Sequence, residues 1–223
     1  MKQTFCILSF LVSLTLTSCI PNLNFDEPQP TGDRNENKFK NKYQGNYLSL
    51  GDSSILTIDN DKIIQEWNIL VKLTKTQIDT TEGIKLRDGL LYSKDYEKPF
   101  PLKFNGDTAI LSYQYNDTIF KLSKDQILRY FKGIYFLNYR EPSDIWNVKT
   151  MKLDNEGILI LNTIYGGEAE IKKIQDMTDV KEITDKEGRI VDYKVSPTRK
   201  ELKEILKSDL FHEGIRFQKI NNK

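Results

Sequence analysis

The chain has 223 residues, with 33 Lys and Arg against 32 Asp and Glu, and Lys2 is the one charged side chain before residue 19. The remainder therefore carries no net charge and lacks the field that draws a protein to nucleic acid or to anionic lipid. Cys6 and Cys19, both near the amino terminus, are the only cysteines, which excludes a disulfide or a thiolate metal site from a folded body. With His212 as the one histidine, a zinc site would need three or more carboxylates, a set zinc seldom takes, so no cofactor or metal is expected.

Residues 1–18 begin with a positive Lys2 and continue as an apolar run from Phe5 to Leu16. That run is shorter than the ~20 residues of a bilayer-spanning helix and has the form of an export signal. It ends in Leu16-Thr17-Ser18-Cys19, which resembles the bacterial lipobox. The resemblance implies cleavage before Cys19, a diacylglycerol on its sulfur and a further acyl chain, such as palmitate, on the new amine. At ~0.8 kcal/mol per buried methylene, two or three chains make a stable anchor. Ile20 stands where an aspartate would signal inner-membrane retention in enteric bacteria, so the expected location is the outer membrane, at its periplasmic face or the cell surface.

Residues 20–42 are rich in Pro, Asn and mixed charge and read as a flexible tether behind the lipidated Cys19, spanning roughly 25 Å. Phe25 and Phe39 are the two side chains in it suited to docking on the body. From Tyr43 the pattern turns to short β runs divided by turn signals. Residues 43–122 are expected to form a first β module, with Asn105-Gly106 as a type I′ hairpin turn. Residues 123–223 hold a second. A short helix over 123–131 is predicted from Ser123 as cap and Ile127, Leu128 and Phe131 on one face. The strand 190–195 alternates, and an amphipathic helix over 198–208 follows from the capping-box pair Thr198 and Glu201.

Two stretches repeat. "YQGNY" at 43–47 parallels "FKGIY" at 131–135, and "DND" at 59–61 parallels "DNE" at 154–156, with the second copy seven residues longer around "YREPSD". This points to two related β-meander modules forming a sandwich or barrel-like body. Gly45 and Gly133 would allow each opening strand to bend. The Gly-x-Tyr opening before antiparallel strands resembles lipocalin-like barrels. Taken together, the lipobox, "FDEPQP" at 25–30, "YQGNY", "FKGIYFLN" at 131–138 and "SPTRKELKEIL" at 196–206 resemble uncharacterised lipoproteins of Bacteroidetes. That resemblance implies an envelope lipoprotein and carries no activity with it.

Catalytic signatures are sparse. There is no Gly-x-Ser-x-Gly elbow, P-loop or His-Glu-x-x-His helix, and His212 has no partner motif for a serine triad. Asp59-Asn60-Asp61 begins like a calcium loop, but Ile63 and Ile64 occupy positions where a ligand and the turn glycine belong. For a glycan hydrolase the places to look are Glu66 beside Trp67 and Asp144 near Trp146, although both indoles are expected in the core. Thr80, Thr108 and Thr118 lie in Asp-Thr-x tripeptides that resemble Bacteroidetes O-glycosylation sites. The reading that follows is a non-enzymatic, lipid-anchored module that binds an envelope protein or glycan. The alternatives are a lipocalin-like carrier, which needs an apolar cavity of several hundred Å³, and, more remotely, a carboxylate-dependent glycan hydrolase.

Overall fold

The computed structural model describes residues 21–163, 167–208, 210 and 214–220. The export signal, Cys19 and His212 lie outside the described residues. The body is mainly β, as expected. In chain order it runs through β1 (Asn22–Phe25), a single 3-10 turn at 41–43, β2 (Gly45–Ser49), β3 (Ile55–Ile58), β4 (Lys62–Thr74), α1 (Lys75–Thr80), β5 (Ile84–Arg87), β6 (Leu90–Ser93), β7 (Phe100–Asn105) and β8 (Thr108–Lys121). It continues with β9 (Gln126–Phe131), β10 (Ile134–Arg140), β11 (Trp146–Leu153), β12 (Ile158–Thr163), α2 (Glu168–Gln175), β13 (Val180–Thr184), β14 (Ile190–Val195), α3 (Arg199–Lys207) and β15 (Ile215–Ile220).

The repeat appears as two units of the same topology. In the first, β2, β3 and β4 form a meander, the chain makes an excursion through α1 and β5–β7, and β8 returns antiparallel to β4. In the second, β10, β11 and β12 form the meander, the excursion is α2, β13, β14 and α3, and β15 returns antiparallel to β12. Gly45 and Gly133 open the two meanders with φ of +125° and +86°, conformations that cost a side-chain-bearing residue energy. Tyr47 and Tyr135, two residues on, are fully buried. The units are not separate modules. β15 pairs with β2, and inward side chains from both units, among them Tyr47, Leu56, Phe120, Leu137, Met151, Leu161 and Phe217, share one core.

The strands make one large mixed sheet, rolled around this core but not closed into a barrel. The mainly β body with a few helices is the one expected, its sheet rolled but unclosed. The ends of the roll are β8 and β9, and residues 36–43 cover the seam between them. Glu36 donates its N–H to Leu128 O at 2.7 Å and Phe39 to Asn60 O at 2.8 Å, while Lys40 N–H bonds the Tyr135 hydroxyl at 2.7 Å. Phe39 is 0% exposed, edge-on to Phe120 at 6.0 Å and to Tyr135 at 5.2 Å. β1 lies in the sheet, parallel to β14 and antiparallel to β11. Leu23 and Phe25 join a second core, made where α2 and α3 cover the outer side of the sheet with Ile171, Ile174, Leu202 and Ile205.

These contacts overturn the tether. Phe25 and Phe39 dock on the body as their type suggested, Leu23 joins them, and all three are buried. That burial outweighs the cost of ordering the polar residues between them. The short helix at 123–131 is also corrected. Ser123 Oγ accepts the N–H groups of Asp125 and Gln126 in a turn, and the rest is strand β9. Leu128 and Tyr130 face the first core while Ile127 and Phe131 face the second. A strand buried on both faces imitates a helical stripe. The helix predicted at 198–208 is α3, capped by Thr198 and Glu201 as expected. α1 and α2 were not foreseen.

Candidate functional site

The long strands β4 and β8 run past the core as a ribbon, paired from Lys62↔Lys121 out to Thr74↔Thr108. Ile63 on β4 and Phe120 on β8 belong to the core. Period-2 alternation carries that face outward through Gln65, Trp67, Ile69, Val71 and Leu73, opposite Asp117, Tyr115, Tyr113, Leu111 and Ala109. The other face carries Glu66, Asn68, Lys72, Ser112 and Gln114 together with Ile64, Ile110 and Leu70, which is 62% exposed. The aromatic face of the ribbon is the more apolar of the two. At its far end the apolar face is covered, because Leu73, Ala109 and Leu102 pack with Ile78 of α1 and with Ile84, Leu86 and Leu91 of the β5–β6 hairpin. The middle of the face is left open.

That open part is a row of rings. Trp67 and Tyr115 lie side by side at 5.5 Å and 32°. Tyr113, two residues along β8, meets Phe100 of β7 edge-on at 5.3 Å, and Phe100 meets Tyr96 at 5.1 Å. With ~7 Å between Tyr113 and Tyr115 along the strand, the row crosses the ribbon obliquely over about 20 Å. Tyr113 and Tyr115 are 39% and 45% exposed, and Tyr96 more so. Trp67 and Phe100 are half-buried, Phe100 by packing against the apolar cluster at the ribbon's far end. The exposed rings of Tyr115, Tyr113 and Tyr96 between and beyond them offer a contact surface.

The root of the row is fixed by a chain of hydrogen bonds. Gln65 Nε2 donates to Ser54 Oγ at 2.7 Å, Ser54 Oγ donates to Asp52 Oδ1 at 2.7 Å, and Trp67 Nε1 donates to Asp52 Oδ2 at 3.0 Å. Burial pushes the Asp52 carboxyl up, but the donors of Ser49, Ser54 and Trp67 outweigh it and hold the group well below the usual carboxylate range. Beside this network the rolled sheet ends in polar side chains. Lys149 lies on the Met151 face of β11, with its ammonium 5.5 Å from the Tyr139 ring. Burial lowers the Lys149 pKa against the opposing pull of Asp117. Burial also raises that of Tyr139, with Asp117 adding to it. An aromatic strip thus descends to hydroxyl, amide, ammonium and carboxylate groups.

The residues singled out from sequence do not converge. Glu66 and Trp67 are neighbours on one strand and point to opposite faces. Asp144 is held by Arg140 at 2.5 Å, and Trp146 is buried in the second core. Trp146 is thus the core residue expected of it, whereas Trp67 is half-exposed and belongs to the row. Asp59-Asn60-Asp61 forms the β3–β4 turn, with Asp59 N–H bonded to Lys62 O at 2.9 Å. Among the described residues no group of three His, Cys, Asp or Glu is placed to hold a metal ion, and no helix is long and apolar enough to cross a membrane. Thr80 ends α1, bonded to Thr76 O at 2.8 Å. Thr108 begins β8 beside the Gly106-Asp107 turn, and Thr118 is exposed at the bulge in β8.

The core interior is filled by Phe39, Tyr43, Tyr47, Tyr135, Phe120 and Phe217. Hollows among the described residues open at the surface. One of about 720 Å³ lies under α1 between Ile78, Leu86 and Tyr92. Another of about 450 Å³ is polar, between β13–β14 and the start of α3. The chain matches no protein-family model, no curated protein and no solved structure. The site is therefore read from its own chemistry.

Proposed function

We propose that the protein is a lipid-anchored lipoprotein of the bacterial cell envelope that binds an envelope glycan along the ribbon. The observation that carries this reading is the row of Trp67, Tyr115, Tyr113, Phe100 and Tyr96, in which the three tyrosines are exposed and the other two rings half-buried. Flat indole and phenol faces stack on the C–H faces of sugar rings. The phenol hydroxyls, with Asp52 and Asp117 at the foot of the row, suit a ligand dense in hydroxyl groups. The hydrogen bond from Trp67 to Asp52 sets the indole before any ligand arrives, which lowers the entropy lost on binding. The filled core supports a surface-binding module over an internal carrier. Lipid attachment at Cys19 rests on the lipobox resemblance.

Soluble peptidoglycan fragments and deacylated lipopolysaccharide, titrated calorimetrically into residues 20–223, test the ligand class. Binding by one of them, weakened tenfold or more in Trp67→Ala and in Tyr115→Ala, is the expected result, and tenfold corresponds to 1.4 kcal/mol. Failure of both glycans to bind, or binding that ignores both substitutions, refutes the reading. A photo-cross-linker at Tyr113 in native membranes that captures a protein instead would move the row to protein recognition.

A further inference from the structure

We infer that the body rests directly against the lipid headgroups, with the flank around Asn22, Ile190 and Val191 turned to the bilayer. The inference depends on the lipidation of Cys19 proposed above and adds the geometry that follows from β1. A chain spans at most ~3.6 Å per residue, so the three residues from Cys19 to Asn22 reach about 11 Å. A 23-residue tether would have allowed roughly 25 Å. The headgroup layer itself is ~5–8 Å thick on each side.

β1 is not free to lengthen the link. Its backbone is paired on one side with β14, from Asn22↔Asp192 to Phe25↔Val195, and on the other with β11. Asn22 donates its N–H to Asp192 Oδ1 at 3.1 Å, and just beyond the strand Asp26 pairs with Lys194 at 2.8 Å. Drawing the strand out would expose the buried side chains of Leu23 and Phe25 to water.

The parallel register also decides what meets the membrane. With Asn22 opposite Asp192, Val191 lies level with Pro21, and Ile190 extends further towards the anchor. Both are exposed, Ile190 by 38% and Val191 by 44%, on opposite faces of β14. The β13–β14 turn that precedes them, with Lys186 and the Arg189–Asp185 ion pair, lies at the same end, so aliphatic and charged side chains meet the headgroups together. The ribbon leaves the core on β4 and β8, on the other branch of the sheet, and from Ile63 to Thr74 it extends ~35 Å. Close seating leaves it projecting from the body.

Because the body has no cysteine beyond Cys19, single labels are clean. Val191→Cys and, as a remote control, Phe104→Cys (43% exposed, near the ribbon tip) are labelled with bimane on the native lipidated protein. The protein is reconstituted in phosphatidylcholine vesicles containing headgroup-spin-labelled lipid. Mass spectrometry of the same sample reads the state of Cys19. Quenching several-fold stronger at residue 191 than at 104 is expected, with most of the difference lost when a 12-residue Gly-Ser linker, ~20 Å, is inserted between Pro21 and Asn22. Equal quenching at the two sites in protein whose Cys19 is lipidated overturns the seating alone. An unmodified Cys19 overturns the anchor and the seating with it. Ile190→Cys serves as the second site if Val191→Cys fails to fold.

Discussion

The placement of residues 36–43 gives the sharpest quantitative prediction. Phe39→Ala removes a fully buried ring that lies edge-on to Phe120 and Tyr135 across the seam between β8 and β9. A buried Phe→Ala change costs ~3–5 kcal/mol in transfer and cavity terms, against a total stability of ~5–15 kcal/mol for a domain. Lys38→Ala, one residue away and exposed, should change stability by less than ~0.5 kcal/mol. Urea unfolding of residues 20–223, followed by circular dichroism, reads both. With a slope of about 2.5 kcal/mol per molar, the Phe39→Ala midpoint should fall by about 1–2 M while Lys38→Ala stays near the parent. A loss below ~1 kcal/mol for Phe39→Ala would mean that the segment is a tether after all and that the seam is covered by something else.

Other outcomes follow from single groups. Asp52 has a depressed pKa in the folded protein, so its contribution to stability is present above the unfolded value of 3.8 and is lost as pH falls below it. Asp52→Asn should therefore flatten the fall in Tm on acidification below pH 3.8, and it should broaden the fluorescence response of Trp67 to ligand. At alkaline pH the sign reverses. Burial pushes Tyr47 and Tyr135 up to about 12, and raises Tyr43 and Tyr139 further. The unfolded chain therefore releases these protons first, and stability should decline as pH rises above the ordinary value of 10.0. Ultraviolet titration should show these phenols ionising together with unfolding, and early ionisation in an intact fold would refute their burial. Gly133→Ala meets no atom within 4 Å, so its cost is backbone strain alone, about 1–2 kcal/mol. Gly45→Ala should cost more, about 3 kcal/mol, because φ of +125° lies well outside the left-handed α region and Lys219 Cε stands 3.2 Å from the new Cβ. Thermal unfolding of the two variants checks the order.

Local chemistry was legible and long-range burial was not. The capping box of Thr198 and Glu201 and the paired glycines of the repeat were readable because each is decided by a few adjacent residues. The hairpin between β7 and β8 was readable too, but its type I′ turn at Asn105-Gly106 is corrected. Asn105 pairs with Thr108 in the ladder, and the turn is Gly106-Asp107 with positive φ at Gly106 alone, +59°. The segment 22–43 misled because its apolar residues are few and far apart, and their value lies in contacts about 80 to 170 residues away, such as Phe39 with Tyr135 and Phe25 with Val195. β9 misled because a strand between two cores has no polar face to betray its period. The row on the ribbon was half visible. "EWNIL" and "SYQYN" alternate in the manner of strands, but only the pairing of β4 with β8 shows that Trp67, Tyr113 and Tyr115 share one face. The capping box of Thr74 and Gln77 was also in plain sequence and would have announced α1.

The two units of the sheet open at the same joint, between their third and fourth strands. One excursion carries the covered end of the ribbon, and the other carries the helices that pack on the outer side of the sheet. The return strands β8 and β15 restore the pairing in both, but the two joints are not equivalent. The second excursion supplies β14, the partner of β1, and the helices that cover Leu23, Phe25 and Trp146, so it belongs to the body. The first closes an apolar cluster of its own, and a foreign hairpin or helix pair could be grafted there, between residues 74 and 108, while the strands around the main core keep their partners.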